Sequence, residues 1–290
     1  MFNKYKITLH LKAYAISVII EILTTPIRFN TLMHDTWITL TIFAIATILL
    51  GKRHKNHLSV LLGFVCGIVT IYLTGLLMDG FNDTKISIPN LIFHILGVLS
   101  GYLALRIQPS LLKTAPFIIT VCLAWFYISK LSPYWHNYAS HSSFSGEEST
   151  QIPLGWYVYS KGNDTFRNRD YANKTVILDF WNTSCGVCFR KFPMLQKQYD
   201  ELSENPDVII QAVNIALERD SPKVAFEILS AKGYTFPNLK ASKNMDSIFG
   251  IVVYPTVLIL QDNKIVFRGN VETAIARLPS ILSRQKVAGN

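Results

Sequence analysis

Asp179-Phe180-Trp181-Asn182-Thr183-Ser184-Cys185-Gly186-Val187-Cys188-Phe189-Arg190-Lys191-Phe192-Pro193 decides how the second half of this chain folds. It follows residues 175–178, a β-branched apolar run that reads as a buried strand. Gly186 offers a tight turn after Cys185, and the residues beyond it look helical. Cys185 is therefore expected at a helix N-terminus, where backbone N–H groups and the helix dipole stabilise a thiolate. Positions three apart share a helix face, so Cys188 should reach Cys185. The pair reads as a reversible dithiol. Pro193 should kink that helix without ending it, because apolar spacing continues through Leu195, Tyr199 and Leu202 to about residue 203.

At these residues the chain resembles the thioredoxin family. A strand ending in Asp-Phe-Trp, a C-x-x-C soon after it and Pro193 in the same helix stand in family order. Tyr254-Pro255-Thr256, ahead of an apolar run at 257–260, resembles the family's cis-proline loop. The longer separation of Cys185 and Pro255, with a helix-like run at 222–232 and Phe236-Pro237 inside it, resembles the membrane-tethered, extracytoplasmic TlpA/ResA-like branch. The resemblance covers roughly the last half of the chain. It implies an α/β thioredoxin-like domain with a redox-active disulfide, Cys185 attacking and Cys188 resolving. It also implies that Asp179 is a buried acid beneath the second cysteine. Burial would suit it to move a proton near neutral pH. Trp181, Tyr254 and Pro255 would line the substrate groove, and no bound cofactor or metal is implied.

The sequence departs from the family pattern at three places. Lys191 stands where many members of the tethered branch have a glutamate, which leaves Asp179 as the expected acid. Val187 replaces a common proline between the cysteines, and Ser184 a common tryptophan before them. Residues between the cysteines tune thiolate stability, so reductant and oxidant both remain open, with the branch resemblance favouring reductant. Glu218 is a second acid candidate, or a solvated loop charge.

Other dithiol chemistries fit poorly. Zinc needs four ligands, and there is no second C-x-x-C and no H-x-x-x-H. Copper chaperones of this fold add a histidine, and residues 142–290 contain none. A peroxiredoxin needs Thr-x-x-Cys, whereas this chain has Thr183-Ser184-Cys185.

The 290 residues leave room for about two domains. Half are hydrophobic, and the mean hydropathy is +0.27. The apolar excess lies before residue 133, in runs at 13–25, 36–50, 58–78, 88–107 and 114–130. A span needs about 20 apolar residues. Basic residues crowd two loops (Lys52, Arg53 and Lys55; Arg106 and Lys113), while Asp79 and Asp83 mark the loop between them. The positive-inside rule makes the basic loops cytoplasmic and the C-terminal domain extracytoplasmic. Five spans also place Lys4, Lys6 and Lys12 inside. No cleaved signal peptide is expected, because the N-terminus lacks a short apolar core and a small-residue cleavage site. The net charge of +9 is topological: residues 1–132 carry 11 Lys/Arg against 4 Asp/Glu, and residues 133–290 carry 17 against 15. No basic face with interleaved aromatics suggests nucleic acid. Glu21 and His94 are ionisable groups within spans and functional candidates by default; Glu21 could instead snorkel to the interface. Cys66 and Cys122, at matching depths in the third and fifth spans, are small apolar residues or a second dithiol. The membrane half resembles no family and has no C-x-x-C.

The expected organisation is an α-helical membrane domain (1–132), a polar linker (133–150) and an α/β thioredoxin-like domain (151–290). Within the last, a hairpin is expected around 161–164, a strand at 207–214, a short helix at 243–249, a hairpin around 261–263 and a closing helix at 271–283. The function expected is a membrane-anchored thiol–disulfide oxidoreductase that reduces disulfides of extracytoplasmic proteins. It would sit in the cell (inner) membrane and draw electrons from a membrane thiol donor. The alternatives are a disulfide-forming oxidant of the same fold, a non-catalytic binding module using the groove near Pro255, and a transporter or sensor with an accessory soluble domain.

Overall fold

The computed structural model describes residues 4–30, 32–108, 112–152, 157–160, 164–221, 223–242, 244–262 and 264–288. Trp156, residues 161–163 of the expected hairpin, Pro222, Lys243 and Asn263 lie outside them. The chain divides into two compact units, Met1–Ser132 and Pro133–Asn290.

The first unit is helical. α1 (Lys4–Asn30), α2 (Leu32–Arg53), α3 (His57–Thr84) and α4 (Ile88–Arg106) are followed by α5 (Ala115–Phe126) and a π turn at Tyr127–Leu131; α6 (Ser132–His141) starts at the unit's last residue and belongs otherwise to the second unit. Among the described residues, five helices are long and apolar enough to cross a membrane. The last of them runs on past Lys130. The wide turn falls just before Pro133, whose missing N–H cannot join a regular α ladder. α1 packs on α3, α2 on α4, and α5 on α4. Two glycine pairs make this possible: a Cβ on Gly63 or Gly67 would collide with α1, and one on Gly97 or Gly101 with the backbone of α2. Backbones that approach this closely gain dispersion contacts, which matter most where no water is excluded between helices. Large side chains including Phe43, Phe64, Ile68 and Tyr72 fill the space between.

The second unit is an eight-stranded mixed sheet in the order β1-β8-β7-β4-β5-β6-β2-β3. The strands are β1 (Glu147–Gln151), β2 (Tyr157–Tyr159), β3 (Thr165–Arg167), β4 (Thr175–Trp181), β5 (Val208–Asn214), β6 (Asn238–Ala241), β7 (Thr256–Gln261) and β8 (Lys264–Gly269). The helices are α7 (Gly186–Leu202), α8 (Val224–Ala231), α9 (Met245–Phe249) and α10 (Val271–Ala288). All seven residues of β4 are buried, as befits a central strand covered on both faces. Ile177 and Trp181 face one core with Cys188, Phe192 and Leu195 of α7 and Val271 and Leu278 of α10. Val176, Leu178 and Phe180 face another with Met245 and Phe249. Pro193 lies within α7, which continues to Leu202.

Residues 133–150 are not simply a linker. They hold most of α6 and four of the five residues of β1, which pairs antiparallel with β8. Gly146 enters that strand at φ 72°, against the Phe267 ring, and its carbonyl accepts from the Arg268 amide at 2.8 Å. β6, between α8 and α9, is a second strand absent from the sequence reading. It is four residues long and held by parallel pairing to β5.

Candidate functional site

β4 delivers the chain to the dithiol. After Trp181 the Asn182 side chain accepts from the Ser184 amide at 3.0 Å, and the Asn182 carbonyl from the Cys185 amide at 3.1 Å. Cys185 itself has φ −82° and ψ 87°, and the Ser184 carbonyl accepts from the Gly186 amide at 3.1 Å, an inverse γ-turn that any L-residue adopts. The turn is therefore built by Asn182 to Cys185 and not by the flexibility of Gly186. That residue has no positive φ, and a Cβ added to it would come no nearer than 3.8 Å to Arg190.

Cys185 caps α7, as its spacing implies. Its sulfur accepts from the Cys188 amide at 3.1 Å, so a helix-end N–H points at the atom that would carry charge. Cys185 and Cys188 are joined as a disulfide. Cys185 is partly exposed and Cys188 fully buried.

Phe180 pairs with Thr256 and Asp179 with Val257, which sets the start of β7 beside the end of β4. The Tyr254–Pro255 peptide immediately before β7 is cis. Tyr254 is half-buried, while Val252 just upstream and Val187 between the cysteines are exposed apolar side chains. Trp181 lies elsewhere in the packing: its ring has no exposed surface, stands edge-on to Phe189 and Phe192, and donates its indole N–H to Asn238 at 3.1 Å. It braces α7 and leaves no surface for a substrate to touch.

Asp179 sits between Ile177 and Trp181 on the α7-facing side of β4. It is fully buried, and neither carboxylate oxygen has a hydrogen-bond partner. Burial first, and then the negative charge of Glu272, push its pKa up to about 8. Glu272, in the first turn of α10, is ion-paired with Lys191. No local pattern singles out Glu272; the one signal for it in the sequence is Lys191, a cation close to the dithiol that calls for an acidic partner. Glu218 is an exposed loop charge.

In the membrane-type unit, Glu21 does not snorkel. It is buried and bonds His94 Nδ1 on α4 at 2.8 Å, while His94 Nε2 lies 3.7 Å from Asp35 of α2. Asn90 and Thr39 donate to the two Asp35 oxygens at 2.7 and 2.8 Å. Cys66 and Cys122 are both exposed on their helices, and among the described residues α3 and α5 share no substantial packing. No group of three or more His, Cys, Asp or Glu side chains among the described residues could hold a metal.

The C-terminal half is a thioredoxin-like domain. Residues 155–268 match the AhpC/TSA family. The chain is similar to the thioredoxin-like protein YneN of Bacillus subtilis, 29% identical over 134 residues that span 46% of this chain and 77% of that one. It is also similar to the thiol-disulfide oxidoreductase ResA of Halalkalibacterium halodurans, 28% identical over 132 residues, 43% of this chain and 72% of that one. Among solved structures, a putative thiol:disulfide interchange protein DsbE from Chlorobium tepidum aligns with TM-score 0.41 and 20% identity, over 48% of this chain and 98% of that one.

Proposed function

We propose that this chain is a membrane-anchored protein thiol–disulfide oxidoreductase that reduces disulfides in extracytoplasmic proteins. The observation that carries the reading is the asymmetric pair at the start of α7. Cys185 is half-exposed with an amide aimed at its sulfur, and Cys188 is buried behind it. The Cys185 thiolate attacks one sulfur of a substrate disulfide. That S–S bond breaks, its second sulfur leaves as a thiolate, and a mixed disulfide forms. Cys188 gives its proton to Asp179 and attacks the Cys185 sulfur, expelling the remaining substrate thiolate and closing Cys185–Cys188. Two electrons pass from the dithiol to the substrate. Asp179 suits the second step, since a carboxyl pushed up to about 8 holds the accepted proton at neutral pH in the disulfide form. Tyr254 and Pro255 line the groove where an extended substrate segment docks.

Five apolar helices supply the anchor, and the distribution of loop charges favours a multi-pass arrangement with the C-terminal domain outside the cell membrane. A membrane thiol protein restores the dithiol. The test is reduction of insulin by the full chain in detergent with a small dithiol as donor. Turnover that vanishes in Cys185→Ser supports the reading; parental turnover in that variant overturns it.

A further inference from the structure

Four helices of the first unit meet around one imidazole. His94 of α4 has no exposed surface, and neither have Glu21 of α1 and Asp35 of α2. Its two ring nitrogens face different carboxylates: Nδ1 is 2.8 Å from Glu21 Oε1, and Nε2 is 3.7 Å from Asp35 Oδ2. The first separation is a hydrogen bond. The second is too long for one, and Nε2 has no hydrogen-bond partner among the described residues. Asp35 is held from other sides. Thr39 donates to its Oδ1 at 2.8 Å and the Asn90 NH2 to its Oδ2 at 2.7 Å, while Thr36 donates to the Asn90 side-chain oxygen at 3.2 Å. The rings of Phe43 of α2 and Tyr72 of α3 lie with centroids 5.7 and 6.0 Å from that of His94. Among the described residues, the titratable side chains brought to His94 are thus Glu21, Asp35 and Tyr72. α5, which also packs on α4, carries only Cys122, and that is exposed. Lys85, buried just ahead of α4, is the basic residue at this end of the helix.

We infer that Glu21, His94 and Asp35 form a proton-exchange site, in which the imidazole carries a proton between the two carboxylates. The inference is independent of the roles given to the cysteines. A neutral imidazole that donates from Nδ1 to Glu21 turns an unshared electron pair on Nε2 toward Asp35. With no water at hand, a lone pair facing a carboxylate is costly, and a proton placed between them converts the contact into a hydrogen bond. The step balances. A proton on Asp35 Oδ2 passes to Nε2, the Nδ1 proton passes to Glu21 Oε1, and the ring ends with its proton on the other nitrogen. The reverse step resets it. One proton crosses from α2 to α1, and no electron moves. Thr39 and Asn90 keep the Asp35 carboxyl aimed at the ring in both states. Asp35 and Asn90 open α2 and α4, and Glu21 lies in the C-terminal half of α1, so the site sits toward one end of the helical unit. In the orientation proposed above that end is extracytoplasmic. Such a site gives the helical unit a proton-handling function beyond anchoring.

The test is heteronuclear NMR of the full chain in detergent, with isotope-labelled histidine, over a series of buffer pH values at which the chain stays folded. The ring nitrogen signals distinguish a histidine protonated on Nδ1, on Nε2 or on both. His94→Gln identifies the His94 signals by their loss. In the parent these signals should shift with pH, both nitrogens responding. Asp35→Asn and Glu21→Gln each remove one carboxylate, and each should leave the ring fixed in one form at every pH. A His94 that keeps a single form throughout the parental series serves only to join the helices, which overturns the proposal. A parental response retained in either carboxylate variant overturns it as well. Should one of these variants not fold, the other decides by the same criterion; should neither fold, the parental series decides.

Discussion

Phe180 of β4 stands opposite Thr256 of β7, and this single register brings the two halves of the candidate site together. Cys185 follows Phe180 by five residues, and Pro255 immediately precedes Thr256. A slip by one residue would also turn Asp179 out of the α7-facing core and put an apolar neighbour in its place.

The proposed mechanism gives the two sulfurs different roles. Cys188→Ser should accumulate mixed disulfides with substrates, because attack proceeds and resolution does not. Cys185→Ser should accumulate none. Non-reducing gels of alkylated cell extracts read the outcome directly; equal trapping by both variants would reverse or remove the assignment.

The buried Asp179 should also write itself into stability. In the disulfide form its pKa is raised from 3.8 to about 8, so between those values the folded domain binds a proton that the unfolded chain has released. Stability contributed this way is present at low pH and declines as pH rises toward 8, by about 1.4 kcal/mol per pH unit for one such group. Asp179→Asn should flatten this decline and raise the melting temperature most at pH 8. A variant with the parental slope would show that Asp179 is not the group responsible.

The proposed orientation makes a simple demand. A tag following Asn290 should be cleaved by protease added to intact cells, and a tag preceding Met1 should be protected until the membrane is opened. Cleavage of the N-terminal tag in intact cells would refute five spans with the basic loops inside.

Within the helical unit, Gly97 and Gly75 should behave oppositely. A Cβ at Gly97 would press on the Leu40 carbonyl of α2, whereas at Gly75 nothing lies within 4 Å. Gly97→Val should cost a few kcal/mol, seen as a lower melting temperature in detergent, and Gly75→Ala should be neutral within error. Equal effects would mean that α2 and α4 are not packed at this spacing.

Much of the site could be read before any coordinates. The dithiol, the apolar run of β4, the helix continuing through Pro193 and Tyr254-Pro255 are local signals, and each lies where its pattern implies. What escaped the sequence depends on partners far along the chain. Glu147–Gln151 has no apolar alternation and becomes a strand because β8 offers it a ladder. Glu272 looks like any acidic residue opening a helix until α10 folds against α7. Glu21 and His94 each stand out in the sequence as a lone ionisable group, but their bond, and the Asp35 beside them, exist only once α1, α2 and α4 are packed. Trp181 misled in the other direction, since a motif can place a residue near a site without revealing which way its ring turns.

The pairing of β1 with β8 sets the limits of any soluble fragment of this protein. A fragment begun at residue 150 would discard three of the five residues of β1; Thr150 and Gln151 would still face Ile265 and Lys264, but Glu147 would be lost from opposite Phe267, leaving that end of β8 open to pairing with a second copy. It would also lose Asn137 and Pro133, the side chain and carbonyl that anchor the start of α10. A fragment begun at Pro133 keeps both. Crystallisation or refolding of the shorter fragment should therefore yield strand-paired aggregates whose redox behaviour differs from that of the intact chain.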